Sequence, residues 1–107
     1  MYNCASRTSG GNGGGIFTAH GGENQEIWNN RISYNIASDG MREGSGGGIH
    51  SGGARIWNNT ITYNIANTSD HTNATYRRGY GGGINCVGHD IVEYNTIAHN
   101  IASVHGF

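Results

Sequence analysis

The densest group of chemically able side chains in this 107-residue chain lies between Asn67 and Tyr80, where Asp70, His71, Tyr76, Arg77, Arg78 and Tyr80 fall close together. A carboxylate, an imidazole and two guanidinium groups can hold an anionic sugar or a partner's carboxylate through charge-assisted hydrogen bonds. The same residues also suit a solvated loop. Trp28 and Trp57 share matching surroundings, as do Tyr2, Tyr34 and Tyr63. Exposed aromatic rings of this kind suit a sugar face or a protein neighbour, and packing under a loop equally. The carboxylates Glu23, Glu26, Asp39, Glu43, Asp70, Asp90 and Glu93 are scattered, with no two at equivalent positions of successive repeats. Acid-assisted or calcium-assisted cleavage needs several of them converging on one face. His20, His50, His71, His89, His99 and His105 also occupy different repeat positions, whereas metal ligation needs clustered donors at fixed spacing. We therefore name no catalytic residue, no metal site and no cofactor.

The elements that must position these residues are repeats. Gly-Gly-Gly-Ile stands at 13–16, 46–49 and 81–84. Behind each copy comes a second block: Ile27 to Ala37, Ile56 to Ala66, and Val92 to Ala102. Such self-similarity marks a stacked-repeat architecture. The repeats run over 13–45, 46–80 and 81–107, and residues 1–12 end a preceding coil, so that 1–107 forms one segment. Twenty glycines, no proline and 12% charged residues are far from an average globular chain. A net charge of −1 advertises neither nucleic acid nor an anionic membrane as partner. No run reaches the length of a membrane-spanning helix, and the amino terminus lacks the apolar core of a signal peptide. Cys4 and Cys86 sit at non-equivalent positions, about three rungs apart at ~4.8 Å each, beyond disulfide reach. Three Asn-x-Ser/Thr sequons begin at Asn58, Asn67 and Asn73, as chance allows in a chain rich in Asn and Thr.

Spacing within the repeat is informative. Ile27 and Ile32 are an odd interval apart, as are Ile32 and Asn35, and the pattern recurs as Ile56–Ile61–Asn64 and Val92–Ile97–Asn100. A straight strand alternates faces, so it cannot place such residues together; a strand that turns a corner between them can. We therefore expect two corners and a loop per coil, with Gly13–Thr18 a short strand and Ser6–Asn12 and Ala19–Gln25 loops. Equivalent residues then stack in columns. Asn30, Asn59 and Asn95 form one amide ladder, and Asn3, Asn35, Asn64 and Asn100 another, each amide both donating and accepting. The apolar columns are Ile16/Ile49/Ile84, Ile27/Ile56/Val92, Ile32/Ile61/Ile97 and Ala5/Ala37/Ala66/Ala102. The spacing leaves open which way Ile36, Ile65 and Ile101 face. Two loops, Ser38–Ser45 and Asn67–Tyr80, leave at the same corner.

Gly-Gly-Gly-Ile followed by Ile-x-x-Asn resembles the right-handed parallel β-helix repeats of bacterial surface proteins. Its nearest likeness is to the Gly-Gly-Ala-Ile and Phe-x-x-Asn repeats of polymorphic outer-membrane proteins, with Ile32, Ile61 and Ile97 in place of the Phe. The resemblance spans nearly the whole chain. It implies an all-β solenoid at the cell surface or outside the cell, with an adhesin-like or passenger role; it does not imply an enzyme. Leucine-rich repeats and left-handed hexapeptide helices fit the spacing less well.

The expected function is structural. About three coils without polar caps leave strand edges and isoleucines to be covered. The expected partner is the remainder of a longer β-helix or a second copy stacked head-to-tail into a fibre. A glycan- or receptor-binding module is the alternative. A polysaccharide-cleaving β-helix is a third reading, resting on fold alone.

Overall fold

The computed structural model describes residues 3–7, 10–18, 24–40, 42–73 and 77–105. After β1 (Cys4–Ser6), the chain makes a first turn through β2 (Gly11–Asn12), β3 (Ile16–Phe17), β4 (Gln25–Trp28), β5 (Arg31–Ser33) and β6 (Ile36–Ser38). A second turn follows as β7 (Gly44–Ser45), β8 (Ile49–Ser51), β9 (Ala54–Trp57), β10 (Thr60–Thr62) and β11 (Ile65–Asn67). A third turn runs β12 (Gly79–Tyr80), β13 (Ile84–Cys86), β14 (Ile91–Glu93), β15 (Thr96–Ala98) and β16 (Ile101–Ser103). Each strand pairs in parallel with its counterparts one turn away. This gives five sheets: A (β1-β6-β11-β16), B (β2-β7-β12), C (β3-β8-β13), D (β4-β9-β14) and E (β5-β10-β15). The described residues contain no α-helix. The chain is an all-β parallel β-helix.

The register is the one the spacing dictates. Ile16, Ile49 and Ile84 are partners across sheet C. Ile27, Ile56 and Val92 are partners across sheet D, and Ile32, Ile61 and Ile97 across sheet E. These residues fill the inside of the coil: Ile49, Ile56 and Ile61 of the second turn are fully buried, with turns on both sides of them. β-branched side chains suit so narrow a space because few rotamers are lost on packing. Ile36 and Ala37 are also buried, and Ile36 pairs with Ile65 and Ile65 with Ile101 in a further column.

Two details differ from the sequence reading. The glycine triplet is not part of a strand: it forms the turn between β2 and β3, and the strand begins at the isoleucine. Sheet B, absent from the expected layout, is made of residues assigned to loops. Both follow from how glycine is used. A methyl placed on Gly11, Gly44 or Gly79 of sheet B would lie within 1.8 Å of the carbonyl oxygen of Ala37, Ala66 or Ala102 in sheet A. Sheets A and B therefore meet backbone to backbone, with no side chain between them. The first glycine of each triplet, Gly13, Gly46 and Gly81, adopts φ of 60–65°, a left-handed turn conformation.

Candidate functional site

The corners of the coil carry its most developed polar chemistry. Asn29, Asn58 and Tyr94 at one corner, and Tyr34, Tyr63 and His99 at the next, all have φ between 53° and 59°. The left-handed residue is thus the one before the ladder asparagine. That conformation turns the following side chain inward. Asn64 is fully buried, and Asn59 and Asn35 nearly so. Asn64 Nδ2 donates to the Ile32 carbonyl (2.9 Å) and to Asn100 Oδ1 (3.0 Å), while its Oδ1 accepts from the Asn35 N–H (3.0 Å) and Nδ2 (2.9 Å). Asn59 repeats the set between Asn30 and Asn95. Asn3 joins through its Nδ2 to Asn35 Oδ1 at 3.0 Å. All seven ladder asparagines stand in the expected two columns.

The ladders have a direction. In both, the main-chain N–H and Nδ2 of one turn donate to the Oδ1 of the following turn. Asn95 and Asn100, last in their columns, have no following amide to donate to. Asn3 and Asn30, the first described members, hold an Oδ1 with no preceding donor.

Outside the coil the aromatic residues stack on one another. Trp28 and Trp57 lie with ring centroids 5.1 Å apart and planes 6° apart. Tyr34, Tyr63 and His99 form a column at 5.2 and 5.0 Å, and Phe17 stacks on His50 at 5.4 Å. The Arg55 guanidinium sits 5.0 Å from the centre of the Trp57 ring and bonds Glu93 at 2.9 Å. Glu93 occupies the Trp column in the third turn, as register requires. The rings therefore spend faces on each other and turn edges outward. A sugar needs a ring face, and in the Trp pair Arg55 lies over Trp57, so the outer face of Trp28 is the one left.

A third polar column was not foreseen. Thr18, Ser51 and Cys86 each stand two residues after the isoleucine of sheet C, and Ser51 pairs with Cys86 in register. Thr18 Oγ1 donates to Ser51 Oγ at 3.1 Å, and Ser51 Oγ donates to Asp90 Oδ1. Asp90 also accepts from the N–H groups of Ala54 (2.8 Å), Gly53 (3.1 Å) and Gly88 (3.2 Å). Burial pushes its pKa up, but the bonds from Ala54, Ser51, Gly88 and Gly53 outweigh this and hold it below the usual carboxylate value. The Cys86 thiol is pushed up to about 11 by burial, by the charge of Asp90 and by its bond to that carboxylate. Burial lowers the His50 pKa, against the pull of Asp90.

These groups do not compose an acyl-transfer relay. Ser51 is fully buried, and its neighbour His50 faces the opposite side of the strand, bonding Asn85 at 3.2 Å. A thiol with so high a pKa is a weak nucleophile at neutral pH. The arrangement secures the turn between sheets C and D across two successive rungs. Its signal was legible: a short polar residue at the same offset after each Gly-Gly-Gly-Ile.

The insertion loops do leave from one place, between sheets A and B. Their bounds are shorter than expected, since Ser38 and Asn67 end strands and Gly44–Ser45 and Gly79–Tyr80 begin them. Sheet A side chains tie them down: Asn67 Nδ2 donates to the carbonyls of Arg42 (3.2 Å) and Arg78 (2.6 Å), Ser38 Oγ to Arg42, and Ser103 Oγ to Arg77. The carbonyls of Arg77 and Arg78 thus anchor the chain ahead of sheet B. Asp70 is exposed, and His71 Nδ1 accepts the Asn73 N–H at 3.0 Å. Tyr76 lies outside the described residues.

Among the described residues no group of three or more His, Cys, Asp or Glu is placed to hold a metal ion, and no helix is long and apolar enough to cross a membrane. No family model, no curated protein and no solved structure matches the chain.

Proposed function

We propose that this chain is a structural segment of a surface or extracellular β-solenoid, whose task is to extend a stack of rungs through its ends. The observation that carries the reading is the polarity of the asparagine ladders. One edge of the solenoid offers amide oxygens (Asn3 and Asn30), and the other offers main-chain N–H groups (Asn95 and Asn100) at the matching corners. Donor and acceptor edges of one ladder complete each other only when joined head to tail, a heterologous contact that does not close and so builds filaments. The apolar columns support the same geometry. Val92 and Ile97 of the third turn are exposed at 42% and 48%, although their second-turn partners Ile56 and Ile61 are fully buried. Another rung would bury them similarly, whether supplied by further coils of a longer β-helix or by a second copy. The likeness to the Gly-Gly-Ala-Ile and Phe-x-x-Asn repeats supports the location outside the cell and the adhesin-like setting.

Fibre diffraction of concentrated protein is the test. Stacked rungs give a meridional reflection near ~4.8 Å, and the mass in solution rises with concentration. A fixed monomeric mass up to millimolar concentration would overturn the reading.

A further inference from the structure

The second turn joins sheets C and D through Gly52 and Gly53 alone, whereas the third turn uses residues 87–90. Gly53 takes φ of 124°, open to glycine and rarely to other residues, and so allows the short link. At this corner a cleft of about 430 Å³ opens, within the ~300–1,000 Å³ usual for small-ligand sites. Gln25 and Glu26 of the first turn, Gly53 and Arg55 of the second, and His89 and Ile91 of the third line it. Drawing on one corner of all three turns, it opens on the flank of the coil and not at either end.

The cleft is held in shape. Ala54 completes the lining on the second turn. Asp90 accepts from the N–H groups of Gly53 and Ala54 there and of Gly88 on the third turn, tying the two together. Glu26, Arg55 and Ile91 are register partners across sheet D, one rung apart. A site already close to its bound shape gives up less freedom when a ligand enters.

Two groups on the first-turn wall lack a partner. Gln25 Oε1 is buried and has no hydrogen-bond partner among the described residues. Glu26 is exposed and forms no ion pair among them. The guanidinium of Arg55 is already matched: Nε (3.1 Å) and Nη2 (2.9 Å) donate to Glu93 Oε1, and it lies over the Trp57 ring. Asn24, on the same wall as Glu26, carries an amide that donates and accepts alike. The unmatched groups are therefore both acceptors, and one carries negative charge. On the third turn Ile91, 57% exposed, adds apolar surface. We propose that the cleft binds a primary ammonium group on a short aliphatic stem. Glu26 takes the charge, Gln25 Oε1 accepts an N–H, and Ile91 packs against the stem. An ammonium brings donors and no acceptor, so it can satisfy both groups at once. A buried acceptor without a donor is costly, and the Gln25 amide gains by turning toward a ligand's N–H. A carboxylate ligand would instead meet Glu26 at like charge, and a neutral alcohol would leave that charge unmatched. A free alkylamine and a lysine side chain present the same group.

The test compares three probes of one shape: n-butylammonium, n-butanol and butyrate. Backbone amide shifts of the isotope-labelled chain are followed during titration in mildly alkaline buffer, which keeps imidazoles uncharged. n-Butylammonium should give saturable shifts at Gln25, Gly53, Ala54 and Ile91, and neither isostere should. Glu26→Gln, at an exposed position, should weaken n-butylammonium at least about tenfold, as loss of one charged hydrogen bond does. Tyr34→Ala, at the corner between sheets E and A, should leave the affinity unchanged. Nα-acetyl-lysine methylamide separates the two sources. Tighter binding than n-butylammonium assigns the cleft to a protein's lysine, and weaker binding assigns it to a free amine. No saturable shift at the cleft with either cation would overturn the proposal. Equal affinity for n-butanol or butyrate, or full affinity in Glu26→Gln, would overturn it as well.

Discussion

Residue by residue, the molecule depends on amides that have no alternative partner. Asn64 is fully buried and its side-chain amide makes four bonds, two accepted and two donated. Asn64→Ala leaves the buried Asn35 N–H and Nδ2 without the Oδ1 that accepts from both. Each orphaned group costs on the order of 1–3 kcal/mol, so a loss of about 3 kcal/mol is expected in a denaturant titration. Asn100→Ala, at the half-covered third turn, should cost less, because water reaches the groups it leaves behind. Asp90 makes a different demand. Its pKa is depressed in the folded state, so its contribution is complete above the ordinary value of 3.8 and is lost as pH falls through the lower folded value. His50, whose pKa is also lowered, acts in the same direction: its contribution is lost as pH falls below 6.5 toward the folded value. Melting temperature should therefore fall on acidification, and Asp90→Asn should flatten the part of that fall below the carboxylate range. An unchanged acid limb in the Asp90→Asn melts would remove Asp90 from this role.

Among the elements, sheet B and the glycine turn are what distinguish this coil from a simple hydrophobic tube. Sheets A and B lie so close that nothing larger than a hydrogen fits on Gly44, where a methyl would stand 1.7 Å from the Ala66 carbonyl oxygen. The backbone must move to accept it, in the middle turn where both neighbours are packed. Gly44→Ala should cost about 3 kcal/mol or more, read as a lowered denaturation midpoint. Tyr80→Ala, an exposed position of the same sheet, should change stability little and serves as the control. The third glycine of each triplet is constrained by different neighbours: a methyl on Gly48 would meet the Gly83 carbonyl at 2.6 Å and Asn64 Nδ2 at 3.0 Å. The triplet therefore reads as three separate requirements in order: a left-handed turn, a backbone contact with sheet A, and room for the ladder amide.

For the molecule as a whole, every sheet is built from strands one turn apart in the chain, so stability passes from turn to turn and is greatest in the middle. That is why Ile49, Ile56 and Ile61 are fully buried while the third-turn members of the latter two columns are not. The sequence alone settled the fold class, the two asparagine columns, the three isoleucine columns of sheets C, D and E and the outward aromatic columns. Each of these repeats along the chain, and stacking converts a repeat in sequence into contact in space. It also hid what does not repeat. Asp90 occurs once, and its bonds reach back to Ser51, Gly53 and Ala54 in another turn, so no spacing could reveal it. Sheet B was hidden for the opposite reason: its residues are glycines and short polar side chains, which carry no hydrophobic alternation. Asn67 and Ser103 hold the carbonyls of Arg78 and Arg77, bonds that the spacing of charges in the sequence does not announce. Local pattern fixes which side chains share a column, since one rung lies directly on the next. Which loop groups face one another, and which corner carboxylate is enclosed, depends on the distances between turns, and these exist only once the coil has closed.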